Sequence, residues 1–536
     1  MPRVKSVLIV GGGSSGWMAA SGLQHARPEL DITVVESSDV PTVGVGEATL
    51  NSFHSFLLSV GLHEDEFLHT VGGSLKLGIR YRGWSARDFW HPFGEVMFPR
   101  PFLDRWMSDR AEGTGARFDV PFDEYGGLGT WDLASAYRAP KRLGDPEYDT
   151  RSVLYGYHMD AGLFAELLKQ RARADGVHHI VDHVVDVTCG SAGIAGVRTR
   201  ARGTLTADLY VDCSGFRSLL LGDALSEPFE SFSQYLPNDS AVAFGRLRGT
   251  ENPLRPFTTA NAMRHGWSWN IPLWARDGTG YVYSSAFCDR AAAEREMVAF
   301  LGTEAELTEP NHLTMRVGKS RRTWVDNCVA VGLAGGFIEP LESTGLLTVE
   351  IAVDQLAQTL DGGDYDDGLR DAFNDGFSHL YDNIRDFLVL HFRTAARRDT
   401  EYWRACTGDP LMVPPRVADF IDRWQHGDVP WNAPWPFAVG SWMYILDGNG
   451  VRPGTPARAG RVPAALDARA IQRRAERVES RATLPSTRHF LADVRARYEA
   501  GERASSVLPT TDEVWRANYE RSFWGPEHEG FVHGAR

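Results

Sequence analysis

The glycine pattern near the start of the chain constrains its fold more than any other feature. Residues 4–10 form a short apolar run that ends in Gly11-Gly12-Gly13-Ser14-Ser15-Gly16. A helical pattern follows to Leu23, and residues 31–36 (DITVVE) read as a second buried strand. This is a βαβ unit whose turn spells G-x-G-x-x-G on Gly11, Gly13 and Gly16. The first glycine permits the tight turn, the second lets a pyrophosphate approach the backbone, and the third lets helix and strand pack closely. Ser14 and Ser15 open the helix, where free N–H groups and the positive dipole end favour phosphates. Glu36 closes the second strand where a ribose-binding acid is expected, and an acid there argues against a 2′-phosphate. The motif does not by itself separate FAD from NAD.

Length and charge narrow the class. A chain of 536 residues corresponds to three or four domain-sized units, expected here to merge into one extended α/β body. With 56 Lys and Arg against 70 Asp and Glu, the net charge of −14 repels phosphate backbones, so nucleic acid is not an expected partner. The five cysteines, Cys189, Cys213, Cys288, Cys328 and Cys406, are odd in number and show no Cys-x-x-Cys spacing. They read as free thiols in a reducing cytoplasm, with no metal site. No stretch is long and apolar enough for a membrane span, and the first apolar run is too short for a signal-peptide core.

Further along, residues 75–80 alternate, with Leu75, Leu77 and Ile79 on one face and Lys76, Gly78 and Arg80 on the other. Residues 81–145 are rich in Trp, Phe, Pro and Gly and read as irregular. Residues 160–175 read as a helix, strand patterns recur between about 180 and 283, and 328–331 is another apolar strand before a helix near 346–360. From 366 onward the pattern is mostly helical, with 457–505 expected as solvated helix and Pro-rich loops at 429–436 and 452–456. The apolar stripe Trp515, Tyr519, Phe523 and Trp524 is expected to dock onto the body. The boundary falls between 1–365, the discontinuous Rossmann-like body with an inserted sheet, and 366–536, a mainly helical substrate-binding and C-terminal region.

Tyr210-Val211-Asp212-Cys213-Ser214-Gly215 and Asn327-Cys328-Val329-Ala330-Val331-Gly332 resemble the later strand-and-glycine segments of two-dinucleotide-binding flavoproteins, which favours FAD. Trp267-Ser268-Trp269-Asn270-Ile271-Pro272 reads W-x-W-x-I-P, and residues 337–345 (FIEPLESTG) read F-x-x-P-x-x-S-x-G on Phe337, Pro340, Ser343 and Gly345. Together with the loop Gly44-Val45-Gly46-Glu47-Ala48-Thr49 and the run Lys76-Leu77-Gly78-Ile79-Arg80-Tyr81, this set resembles the flavin-dependent halogenases of the tryptophan and indole class. The resemblance covers about residues 4–400.

It implies an enzyme in which reduced FAD, O2 and chloride or bromide give hypohalous acid, which crosses the interior to an indole. Lys76 matches the family lysine, which donates a hydrogen bond to hypohalous acid or forms a haloamine, and Glu342 the carboxylate that stabilises the cationic intermediate and accepts its proton. The bland alternatives are a solvent-facing strand lysine and a helix-start glutamate. Ser343 and Thr344 suit a helix N-cap, and the backbone of Thr344 and Gly345 is the implied halide site. The FAD contacts implied are Gly11, Gly13, Ser14, Ser15, Gly16, Glu36, Gly46, Glu47, Ala48, Thr49, Val184, Gly332 and Leu346. Trp267 and Trp269 share a strand face near the flavin, and are equally readable as core tryptophans. His91 and Phe93 are implied beside the indole, with Trp442 on its other face.

The pattern breaks at one place. Free-tryptophan halogenases hold the amino acid's charged ends with a tyrosine pair and a glutamate near 435–442. Here that stretch is Trp435-Pro436-Phe437-Ala438-Val439-Gly440-Ser441-Trp442, with Ala438 where the acid is expected. An α-ammonium without its anion loses ~1–3 kcal/mol. The reading favoured by this departure is tryptophan within a peptide, of the lanthipeptide-tailoring kind, with free tryptophan or free indole as alternatives. With only one G-x-G-x-x-G, reduced flavin is expected from a separate NAD(P)H-dependent flavin reductase. An aromatic hydroxylase and a non-catalytic flavin-binding protein are the rival classes, and a homodimer is one assembly the sequence permits.

Overall fold

The computed structural model describes residues 4–39, 46–94, 100–113, 119–125, 129–145, 154–249, 252–302, 307–360, 365–408, 411–430, 433–457 and 483–502. A six-stranded sheet runs in the order Trp324–Val325, Cys328–Ala330, Leu209–Asp212, Ser6–Val10, Asp31–Glu36, His178–Val181. All neighbours are parallel except the first two, which form a hairpin. Its central strands are almost continuously apolar because both faces are covered. The helix Ser14–Ala26 packs between the helices Ala161–Ala174 and Gly345–Thr359 on one face. On the other, Leu8, Val10 and Val35 share a core with Ile194 and Val197 of a small antiparallel sheet. The parallel βαβ body and its added sheets match the expected α/β two-dinucleotide-binding class.

Two further sheets carry most of the rest of the body, beside a small antiparallel sheet of Phe229–Ser231, Gly318–Ser320 and Gly336–Phe337. One has seven strands, in the order Asn311–Thr314, Ser240–Leu247, Arg276–Tyr283, Gly266–Pro272, Thr258–Ala262, Gly78–Arg82, Phe89–Pro92. It is antiparallel apart from the pairing of Thr258–Ala262 with Gly78–Arg82. The other is a three-stranded antiparallel sheet with Gly156–Met159 between Glu47–Ala48 and Ser74–Lys76.

The alternation expected over 75–80 is overturned. The chain leaves one sheet at Lys76 and enters another at Gly78, so Leu75, Lys76 and Leu77 are all fully buried. Gly78 makes the crossing possible: its φ is +154°, and a Cβ there would stand 2.5 Å from the His91 carbonyl oxygen.

Residues 81–145 are also more regular than expected, with helices Arg100–Glu112, Phe122–Tyr125 and Gly129–Ser135. Packing of Leu103, Trp106 and Met107 into the core outweighs the weak helix propensity of the aromatic residues.

The C-terminal part is helical as read, led by the 28-residue helix Asp367–Thr394 and including Val439–Gly448. The helix Thr487–Glu499 is not solvated: it buries Phe490, Leu491 and Val494. The rest of the 457–505 stretch lies largely outside the described residues, as do Trp515, Tyr519, Phe523, Trp524, Gly44 and Val45. No helix among the described residues is long and apolar enough to cross a membrane.

Candidate active site

Three glycine turns meet at the C-terminal ends of the central parallel strands, the edge at which α/β sheets bind ligands. Gly11 has φ +117°, and a Cβ on it would lie 2.2 Å from the Cys213 carbonyl oxygen. A Cβ on Gly16 would meet the Gly11 oxygen at 1.9 Å, so the helix sits directly on the strand. Gly332, with φ +69°, packs on the Ser15 side chain. By contrast, Cβ atoms on Gly13, Gly215 and Gly345 would meet nothing within 4 Å. Gly13 is the N-cap of Ser14–Ala26 and Thr344 that of Gly345–Thr359, and neither has a side-chain cap. Two helix starts therefore offer free N–H groups into open space, as an anionic dinucleotide and a halide require.

The other residues assigned to FAD vary in role. Glu36 closes its strand but bonds His179 Nε2 at 2.7 Å and lies against Gly12. Gly46 has φ +80° and approaches Gly278. Ala48 pairs with His158, and the buried Thr49 hydroxyl accepts from the Tyr157 N–H at 2.9 Å, which ties this segment to the three-stranded sheet. Glu47 is buried enough that its carboxyl rises to about 7, against pulls from the Ala48 backbone and Lys76. Val184 begins a strand beside the six-stranded sheet, and Leu346 is buried in the helix after Gly345.

Lys76 and Glu342 come together from opposite ends of the body. Lys76 is fully buried and donates from Nζ to Ser343 Oγ at 2.8 Å, with Nζ 5.0 Å from the Phe93 ring centre. Burial pushes its ammonium down to about 7, although Glu342 and Glu47 pull it back up. Glu342 ends the turn Pro340–Glu342, and Ser343 follows in the left-handed region at φ +59°. That kink sends the Ser343 hydroxyl to Lys76 rather than to the helix start. The expectation that Ser343 and Thr344 cap by their side chains is corrected accordingly.

The Glu342 carboxylate has no exposure and three donors. It accepts from the Tyr81 hydroxyl, from His391 Nε2 at 2.8 Å and from His91 Nδ1 at 3.0 Å. Burial opposes its charge, yet His91 and His391 hold it well below the usual carboxylate range. His391 is oriented by the Phe387 carbonyl at 2.7 Å from Nδ1, and His91 by Ser441 Oγ at 2.9 Å from Nε2.

His91, expected beside the indole, therefore serves the carboxylate directly. Trp442 lies further out, stacked on Phe420 at 4.6 Å and 5.6 Å from Phe387. Tyr81, His391 and Ser441 were given no role from sequence. One signal was present for His391, which extends the apolar stripe of Leu380, Ile384 and Phe387 at helical spacing.

The W-x-W-x-I-P and F-x-x-P-x-x-S-x-G motifs are also joined. Trp267 Nε1 donates to Glu339 Oε2 at 2.8 Å, and the rings of Trp267 and Trp269 stand 6.3 Å apart. Glu339 also accepts from Asn238 at 2.7 Å, while its Oε1 is buried without a partner. Burial lifts this carboxyl to about 7, against those two donors. Pro272 accepts from Ser74 through its carbonyl, and Phe337 meets Phe216 edge-on.

A parallel sheet with converging glycine turns and capless helix starts, joined to a buried lysine–carboxylate pair, defines a dinucleotide-dependent enzyme. The chain belongs to the tryptophan halogenase family, whose sequence model matches residues 6–464, and is thus a flavin-dependent tryptophan halogenase. It is 39% identical over 526 residues to the 7-chloro-L-tryptophan 6-halogenase KtzR of Kutzneria sp. (strain 744), covering 91% of this chain and 99% of that protein. It is 38% identical to the tryptophan 6-halogenase SttH of Streptomyces toxytricini, covering 91% and 97%. The crystal structure of SttH superposes with a TM-score of 0.84 over 92% of this chain and all of that one, at 36% identity. MibH, a lanthipeptide tryptophan 5-halogenase, superposes at 0.79 with 30% identity over 95% and 97%.

Proposed function

We propose that this enzyme halogenates an indole carbon of free tryptophan or a halotryptophan, with Lys76 positioning the oxidised halogen and Glu342 stabilising the charge that develops on the ring. The observation that carries the reading is the Lys76 ammonium, buried on the Ser343 hydroxyl and the Phe93 ring, one residue from Glu342. FAD is held by the Gly11–Gly16 turn, Glu36 and the segment 46–49, and the halide by the backbone of Thr344 and Gly345. When bound and reduced, FAD supplies with O2 the two electrons' worth of oxidation that converts halide to hypohalous acid. The reduced flavin comes from a separate NAD(P)H-dependent reductase.

Lys76 hydrogen-bonds the hypohalous oxygen and gives it a proton, so that the oxygen–halogen bond breaks, water leaves and the halogen bonds the indole carbon. Glu342 faces the cationic ring that results. With three donors already on it, the carboxylate is a weak base, so its main work is electrostatic. The ring proton, strongly acidic in that cation, passes to Glu342 after the carbon–halogen bond has formed, which restores the proton count of the site. Phe93 sits where it can pack on the indole, and Trp442 supports the pocket through Phe387.

Free tryptophan leads because the relatives KtzR and SttH, named for tryptophan substrates, match nearly end to end. A second reading, a substrate with masked ends such as peptidyl tryptophan, is favoured by the helix Val439–Gly448. Its N-cap is Ala438, and its one acid, Asp447, is taken by Arg87, Arg110 and the Phe122 N–H. That helix leaves no carboxylate for an α-ammonium. Product mass spectrometry tests both readings. The enzyme is supplied with FAD, a reductase, NADH, O2, chloride or bromide, and L-tryptophan, capped tryptophan or a tryptophan peptide. A higher kcat/KM for L-tryptophan supports the first reading and a higher value for the peptide the second. Oxygenated product without halide would sink both.

A further inference from the structure

A cavity of about 310 Å³ opens at one end of the seven-stranded sheet, lined by none of the residues assigned above. Its polar wall is Arg246, Arg248, Arg255 and Asp277, with Tyr137 and Leu247 alongside. Arg246 is the next-to-last residue of the strand Ser240–Leu247, directly across from Asp277 on the neighbouring strand. Arg248 and Arg255 lie on the segment that leads to the next strand.

Among the described residues, the charges on this wall do not balance. Arg248, only 5% exposed, pairs with Asp277 and donates to the Pro253 carbonyl at 3.2 Å, but its Nε is buried with no partner. Arg255 donates to Asn270 at 2.7 Å and stands 3.9 Å from the same Asp277. The Arg246 side chain makes no hydrogen bond or ion pair among the described residues. Among the described residues, three guanidinium groups thus share one carboxylate. Burial, together with repulsion from Arg255, Arg488 and Arg246, holds the Arg248 guanidinium down at about 9. The neighbouring Arg276 does not add to this excess, because its charge is matched by Asp160 at 2.5 Å.

Like charges crowded in a partly dry cleft favour an anion between them. Guanidinium forks match the tetrahedral oxygens of phosphate in a bidentate way. The volume suits a small ligand, and Leu247, 63% exposed at the rim, offers apolar contact to whatever the anion is attached to. We propose that this cavity binds a phosphorylated small molecule, with its dianionic phosphoryl group between Arg246, Arg248 and Arg255.

Calorimetric titration of the full chain tests this, with FAD kept saturating so that the Gly11–Gly16 turn is not available to the probe. The probes are inorganic phosphate, glucose 6-phosphate and citrate at matched ionic strength. The expected result is one site per chain for phosphate and for glucose 6-phosphate, with citrate weaker. R246Q should weaken phosphate binding at least tenfold while leaving flavin affinity and tryptophan halogenation unchanged. R255Q should do the same to phosphate, and flavin affinity shows whether each variant is folded. No binding, equal binding of citrate, or binding that survives both substitutions would each overturn the proposal.

Discussion

Lys76 and Glu342 are near neighbours in one buried site, and the fold provides for them in opposite ways. Glu342 receives three donors from three separate elements and keeps its charge against complete burial. Lys76 receives one neutral hydroxyl and an aromatic ring, and its ammonium falls to about 7. The carboxylate is a fixed charge, whereas the lysine is left free to titrate. A group that must stay anionic while a cation forms is given permanent partners, and a group that must bind a transient oxidant is left with unused donors.

The comparison breaks most completely at its lysine. K76A should lower halogenation by on the order of 10²–10³-fold or more, with flavin reoxidation continuing. Product mass spectrometry alongside the flavin absorbance checks this, and halogenation that persists would remove the assignment. E342Q should cost on the order of 10²-fold in kcat, and because Glu342 holds the lysine pKa up, it should also shift the pH profile to more acid values.

The profile itself gives the next effect. If the cationic lysine positions the oxidant, kcat is full below about 7 and falls as pH rises through about 7, where Lys76 loses its proton. Stopped-flow or steady-state rates between pH 6 and 9 test the sign, and a rise with pH would instead favour the neutral amine. S343A removes the acceptor that favours the ammonium, so its midpoint should lie lower than the wild type's. The smallest effect is on stability. H391L leaves a buried carboxylate short of one donor, costing about 1–3 kcal/mol, read from urea unfolding. H391Q should recover part of that loss.

Sequence reading succeeded where chemistry is local. The Gly11–Gly16 turn, its helix and the strand ending at Glu36 form within 26 residues, so their spacing alone specifies the geometry. The turn that carries Glu342 was legible in the same way, whereas the bond between Ser343 and Lys76 was not. The alternation at 75–80 misled because period-two patterning does not reveal which sheet a strand joins, and the chain changes sheet at Leu77. The partners of Glu342 were hidden for a different reason. Tyr81, His91 and His391 come from the seven-stranded sheet and a distant helix, and only tertiary packing brings their polar atoms to one carboxylate.

The crossing at Leu77 and Gly78 has a mechanical consequence. With a single residue between two sheets, no slack separates them, so the ammonium at 76 is indexed to both at once. Lengthening this joint by one residue would turn the lysine away from Ser343 even if every contact around the carboxylate survived. Glycine at 78, which has no reactive group of its own, therefore sets the aim of the one that does.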